Sequence, residues 1–267
     1  MTRPLTGRSV VVTRPAGQAR ALVEGLTALG AEVIALPLTR VVPIEASPHI
    51  AAALRHLGSY EVVVVTSANG AGCFADHLAA AEVTTAETTT MVAVGSATAE
   101  ALRRRGLRVD MVPAQATGGT IVAELAQRDL TGVRILLPRA RNGRPELPLG
   151  LRRAGALVDD VAFYDTVRCV VDPQAVVAAR DAHDIVLTAP SGVEALSELV
   201  DPATFGLRIV TIGPTTSAAV RRLGLPVAAE SAEQSVAGLI YAIRSLPHVD
   251  GALDRNPDPE APKPRRE

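Results

Sequence analysis

Unbroken apolar runs alternate with helix-spaced segments along this chain, and glycine, proline and hydroxyl residues mark the junctions. The stretch 91–109, MVAVGSATAEALRRRGLRV, sets the pattern. Met91 to Val94 lack polar alternation, which predicts a strand covered on both faces. Gly95 turns the chain, and a helix opens on Ser96, Ala97 and Thr98. A helix start leaves backbone N–H groups unpaired, so this junction forms a neutral cradle for phosphate or carboxylate. Similar reasoning predicts a strand over 8–13, then a helix from about Gln18 to Leu29 with Ala21, Leu22, Leu26 and Leu29 on one face. Residues 31–44 read as one long extended run, in which Pro37 and Pro43 argue against a central sheet position. A short helix over 47–58 and a buried strand within 60–70 follow. That strand runs into Thr66, Ser67 and Asn69 and a helix to about Ala81. Further strands are expected at RVDMVP (108–113) and 133–140, with helices at 117–127, 145–154 and 233–246. Residues 156–171 form a second long extended run, and 248–267, rich in proline and charge, are expected to be disordered.

The pattern is written twice. Residues 209–227 repeat 91–109, setting Gly213 on Gly95, Thr216 on Thr98 and Gly224 on Gly106. Residues 136–156 align with 11–31, setting Arg139 on Arg14. The segment 183–196 echoes the strand and helix start near residue 65, with Thr188 on Thr66 and Ser191 on Asn69. Alternating strands and helices give an α/β class with parallel sheets. The repeats imply two similar lobes with matching loops, and the two long extended runs suggest that the chain crosses between lobes twice, leaving one lobe discontinuous.

Length and composition narrow the chemistry. A chain of 267 residues accommodates two domains with separate cores. Aromatics are only 2% and Trp is absent, so stacking platforms for bases are disfavoured. A net charge of −1 supplies no basic field for nucleic acid. Cys73 and Cys169 have no paired spacing, which fits a reducing cytoplasm and no cysteine metal site. No signal-peptide core or membrane-length apolar run occurs. Dinucleotide fingerprints, phosphate-loop lysines, nucleophile elbows and zinc-protease motifs are absent as well.

One set of segments carries a family resemblance: VVVTRP, VVVVTSANG, AVGSATAEALRRRG, ILLPRARNGRPELPLGLRRAGA, AFYDTVR, LTAPSGVEAL and TIGPTTSAAVRRLG. In this order, over about residues 5–245, they resemble uroporphyrinogen-III synthase. The resemblance implies two flavodoxin- or Rossmann-like parallel-sheet lobes joined by a two-stranded connector. Lobe one would comprise 1–37 and 171–247, lobe two 45–162, and the connector strands 38–44 and 163–170. The implied activity converts hydroxymethylbilane to uroporphyrinogen III with inversion of ring D and loss of water, without metal or organic cofactor. The implied setting is a cytoplasmic monomer free of nucleic acid and membrane, with transient hand-over of substrate from hydroxymethylbilane synthase.

An acidic tetrapyrrole needs many donors, and ligands of open α/β sheets sit beyond the carboxyl ends of the strands. The candidates there for substrate binding are Arg14, Ser67, Asn69, Ser96, Thr117, Arg139, Ser191, Gly192, Thr215 and Thr216. Tyr164, at the position of the family's tyrosine, and Thr98 are the catalytic candidates. A phenol stays protonated at neutral pH and can help a hydroxyl leave. Each candidate has a plainer reading: Thr98, Thr216, Ser67 and Ser191 as helix-starting or capping residues, the arginines as partners of nearby acids, and Tyr164 as a half-buried strand residue. Arg103 to Arg105 read as a solvated helix face, Cys73 as a core thiol, and His77 and His183 as surface or satisfied groups. The rival functions are a two-lobed sensor for an anionic ligand and a two-lobed sugar-nucleotide transferase.

Overall fold

The computed structural model describes residues 3–45, 47–115, 117–199 and 206–247, so the tail expected at 248–267 lies outside the described residues. The chain opens with β1 (Ser9–Val12), α1 (Ala16–Ala28), β2 (Glu32–Ala35) and β3 (Thr39–Pro43). It continues through α2 (Pro48–Arg55), β4 (Val62–Val65), α3 (Ala68–Ala80), β5 (Thr90–Ala93), α4 (Ser96–Arg104), α5 (Gly118–Leu125), β6 (Arg134–Ala140), α6 (Glu146–Arg153) and β7 (Leu157–Arg168). It closes with α7 (Pro173–Arg180), β8 (Asp184–Leu187), α8 (Pro190–Leu199), β9 (Arg208–Thr211), α9 (Pro214–Arg222), β10 (Ala229–Glu230) and α10 (Val236–Ser245). Among the described residues, those up to Arg40 together with those from Arg168 to 247 form one compact unit, and those within 41–167 form the other.

Each unit is built on a five-stranded sheet: β10-β9-β8-β1-β2 in the first and β3-β7-β6-β4-β5 in the second. Every pairing in the first sheet is parallel, as are β7-β6, β6-β4 and β4-β5 in the second. The strands that read as unbroken apolar runs, β1, β4 and β8, are buried throughout and lie inside the sheets, where helices cover both faces. β2 and β3, each partly exposed, lie at sheet edges. The edge β3 runs against its neighbours: Ile44 donates its N–H to Phe163 O and Cys169 donates to Leu38 O, so the partner numbers rise as the first numbers fall.

The sequence repeat is a repeat of strand pairing. Val92 bridges Met111 in the second unit, and Val210 pairs with Ala229 in the first, at the spacing of the repeated segments. Likewise Leu137 pairs with Asp160, and Val12 with Ala35. Read from the repeated segments, both sheets therefore follow one order of five positions, the second ending on an isolated bridge where the first has β10.

Two expectations change, and one element is added. The run 31–44 is two strands in two sheets, because Leu36 and Leu38 turn into the core between them. The segment 108–113 contributes only the Met111 bridge. Residues 173–180, which show little helical periodicity, form α7: Asp172 accepts a hydrogen bond from Gln174 N, and Pro173 fits the first turn.

Candidate active site

The crevice of an open parallel sheet lies beyond the carboxyl ends of the strands, where strand order reverses. In the second unit the reversal falls between β4 and β6, and in the first between β8 and β1.

In the second unit, β4 runs into Ser67, whose oxygen accepts from Gly70 N at 2.9 Å and so caps α3. The same oxygen lies 2.8 Å from the Tyr164 hydroxyl. Tyr164 is 5% exposed and its neighbour Phe163 is fully buried, as on the other strands with both faces covered. The strand register shifts here: Arg139 pairs with Ala162 and Ala140 with Tyr164, so β7 carries an extra residue at this point. Such a bulge re-aims the side chain that follows it. Phe163 packs edge-on against Phe74 and His77 of α3, with ring centroids 5.5 and 5.1 Å apart, which holds β7 against that helix. His77 directs its ring nitrogens at Cys73 O and Ile44 O. Gly70 gives this corner room: a Cβ there would sit 3.2 Å from Ser67 Oγ, a few tenths of an ångström too close, and in ordinary contact with Tyr164 Cε1 at 3.4 Å. Burial pushes the Tyr164 phenol up from its ordinary pKa, while the Ser67 hydrogen bond and the nearby Arg139 cation oppose the shift.

Arg139 is not free. Its guanidinium binds both oxygens of Asp160 and donates to Arg144 O at 2.6 Å. Thr117 caps α5, accepting from Thr120 N at 3.2 Å, and is exposed. Asn69 is half-buried in the first turn of α3. Ser96 is exposed in the first turn of α4, where Gly95, at φ +85°, makes the turn that a side chain would resist.

Thr98 and Thr216 are 3% and 2% exposed. Neither caps its helix, since Gly95 and Gly213 hold the cap positions without a side-chain bond. Among the described residues neither hydroxyl has a hydrogen-bond partner, and neither oxygen is a fully enclosed unpaired atom.

In the first unit, Arg14 lies two residues past the end of β1, and Ser191 and Gly192 lie in the first turn of α8, which follows the adjacent β8. Thr215 is exposed and Thr216 buried in the first turn of α9. Below them, Thr211 and Ser217 share a buried hydrogen bond of 2.7 Å, and Ser217 donates onward to Glu230. Arg14 is half-buried and has no partner among the described residues, and its Nε is enclosed without a hydrogen bond. Burial lowers its pKa from the ordinary value.

Sequence reasoning missed the Asp160 partner, the bulge before Tyr164, and the Thr211–Ser217–Glu230 chain. Asp160 was open to discovery, since the repeat sets it against Ala35. The bulge leaves no composition signal beyond adjacent Phe163 and Tyr164 in a strand.

Comparisons with known proteins converge on these segments. The family model described as "Uroporphyrinogen-III synthase HemD" matches residues 20–241. A uroporphyrinogen-III synthase from Synechococcus elongatus is 29% identical over 255 residues, covering 90% of this chain and 96% of the relative. The porphyrin biosynthesis protein HemD of Ruminiclostridium josui is 29% identical over 84% of this chain and 46% of its own length. Among solved structures, a mutant uroporphyrinogen III synthase from Thermus thermophilus aligns with TM-score 0.65 at 16% identity, covering 89% of this chain and 98% of that one. The Helicobacter pylori enzyme aligns with TM-score 0.55 at 16% identity, covering 88% and 97%. At that identity the structures speak for the fold.

Proposed function

Because the chain belongs to the uroporphyrinogen-III synthase family, we propose that it closes hydroxymethylbilane to uroporphyrinogen III with inversion of ring D. It is a cyclising hydro-lyase of tetrapyrrole biosynthesis. The terminal hydroxyl leaves as water and an azafulvene forms. The substituted carbon of ring D attacks it to give a spiro intermediate, which fragments and recloses with the ring reversed, and loss of a proton restores the pyrrole. The pyrrole nitrogen supplies the electron push, so this route needs no cofactor. The protein's task is to help water leave and to hold the chain in the productive shape, since positioning alone contributes roughly 7–11 kcal/mol in favourable cases.

The observation that carries the residue assignment is the buried Tyr164 hydroxyl, 2.8 Å from the capping oxygen of Ser67 at the carboxyl edge of a sheet. Ser67 Oγ already accepts from Gly70 N. When its own proton points to Tyr164, the phenol proton is free to be donated to the departing hydroxyl. Arg139, tied to Asp160, supplies positive field beside the phenol rather than a free donor. Thr98, in the first turn of α4, assists the same departure. Asn69, Ser96, Thr117, Ser191, Gly192, Thr215 and Thr216, with the open N–H groups of their helix starts, take substrate carboxylates.

The reading makes the enzyme a cytoplasmic monomer that receives its substrate from hydroxymethylbilane synthase. The two unpaired cysteines fit the cytoplasmic part of that reading. The test is to supply fresh hydroxymethylbilane and identify the product isomer. Isomer III is expected. Isomer I alone, the product of unassisted closure, would leave a binding protein as the answer.

A further inference from the structure

The two units share one strand-pairing scheme, yet they treat their matching arginines differently. Arg139 lies two residues past Leu137, and Leu137 pairs with Asp160. Arg14 lies two residues past Val12, and Val12 pairs with Ala35. Where the second unit has an acid that grips the guanidinium through both oxygens, the first has a methyl group. The second difference lies around the guanidinium itself. Arg139 also donates to Arg144 O, and Gly143 leaves the room that its guanidinium fills. Arg14 has no partner among the described residues, and its Nε is shut away from water without a hydrogen bond. Arg8 and Arg208 also enclose one unpaired guanidinium nitrogen each, but both are held by Asp184, whereas Arg14 has no counter-ion among the described residues. A partly buried cation without an acceptor is costly, and a fold can retain it where an acceptor arrives with a ligand.

Position agrees with this. Arg14 sits where the strand order of the first sheet reverses, and Ser191 and Gly192 open α8 on the neighbouring strand β8. The Arg14 residue is half-buried, so part of it stays in reach of solvent. A planar guanidinium with free N–H groups selects a carboxylate and binds it bidentately.

We infer that the repeats have divided their labour: the first unit keeps Arg14 unpaired as a dedicated anchor for one carboxylate of the substrate, while its counterpart Arg139 has been retired to a structural ion pair by Asp160. This rests on the proposed activity and adds to it which cation takes substrate charge and why the other does not. Partial burial shields the anchor from salt, so its effect persists at ionic strengths that silence surface pairs.

The experiment measures kcat, KM and melting temperature of the full chain with hydroxymethylbilane for wild type, Arg14→Gln, Ala35→Asp and Asp160→Asn. Arg14→Gln is expected to raise KM by about tenfold or more, the scale of one hydrogen bond to a charged group, with kcat within about twofold. Its melting temperature is expected to hold or rise, because an uncompensated cation is removed. Ala35→Asp gives Arg14 the partner that Arg139 has, so KM rises with Arg14 still in place and the melting temperature holds. Asp160→Asn lowers the melting temperature. A KM for Arg14→Gln within twofold of wild type, or a loss of melting temperature in that variant, overturns the anchor. An unchanged KM in Ala35→Asp overturns the claim that a missing acid keeps Arg14 free. Failure of the proposed activity itself is seen separately, as isomer I from the wild type before any variant is made.

Discussion

Tyr164 combines burial with a useful proton. Burial raises the phenol above its ordinary pKa, so the hydroxyl is a donor at every physiological pH. The linkage follows from the direction of the shift. Between the unfolded and the higher folded pKa, the unfolded chain has lost the proton and the folded one has kept it. Stability from this group is therefore full below about pH 10 and is lost as pH rises through the folded value. Urea titrations of wild type and Tyr164→Phe at pH 8 to 11 are expected to diverge above about pH 10, with the wild type losing stability more steeply. At the same scale, Ser67 holds both the helix cap and the tyrosine. Removing the cap in Ser67→Ala is expected to cost about 1 kcal/mol in urea unfolding. In that variant the phenol also loses its partner, so the rate falls while substrate affinity is retained.

At the scale of elements, the junctions decide function, and they were legible to different degrees. Met91 to Gly95 and Ile209 to Gly213 announce strand, turn and helix through unbroken apolar runs ending in glycine, and both α4 and α9 begin where that pattern says. The split of 31–44 into β2 and β3 was not legible, because both halves are apolar and only tertiary burial of Leu36 and Leu38 separates them. Nor was α7, whose single buried residue, Ala179, gives no amphipathic stripe. Among the candidate residues, chemistry could be read from type and position, but pairing could not. That Arg139 would pair with some nearby acid was among the readings, but Asp160 itself stands 21 residues away, meets it only across neighbouring strands, and shows only when the repeat is set against Ala35. Gly70 tests the junction of α3 with β7. Gly70→Ala is expected to push Ser67 and Tyr164 apart and slow turnover by about tenfold or more, and a wild-type rate in a folded Gly70→Ala protein would separate that contact from catalysis.

For the whole molecule, the notable economy is that the first unit is assembled from both ends of the chain. Asp184 of β8, fully buried, accepts from Arg8 beside β1 at 2.5 Å and from Arg208 of β9 at 2.9 Å. Arg8 and Arg208 in turn donate to Leu246 O and Pro247 O just past α10. This cluster lies at the amino ends of the strands, opposite the candidate site, and ties the opening segment to the closing one. Asp184→Asn leaves Arg8 without its counter-ion in a dry setting and is expected to destabilise the fold by about 3–5 kcal/mol in urea unfolding. Ring-inverting activity per folded molecule is expected to stay near wild type. The central claim is that this fold, through Tyr164, makes water leave while holding the acidic chain for inversion. Its most direct test is a single-turnover reaction on hydroxymethylbilane, comparing wild type with Tyr164→Phe and resolving the product isomers. The account predicts isomer III from both, with the variant slower by on the order of 10²-fold and isomer I growing as unassisted closure competes. A wild-type product that is all isomer I, or a Tyr164→Phe rate equal to wild type, would contradict it.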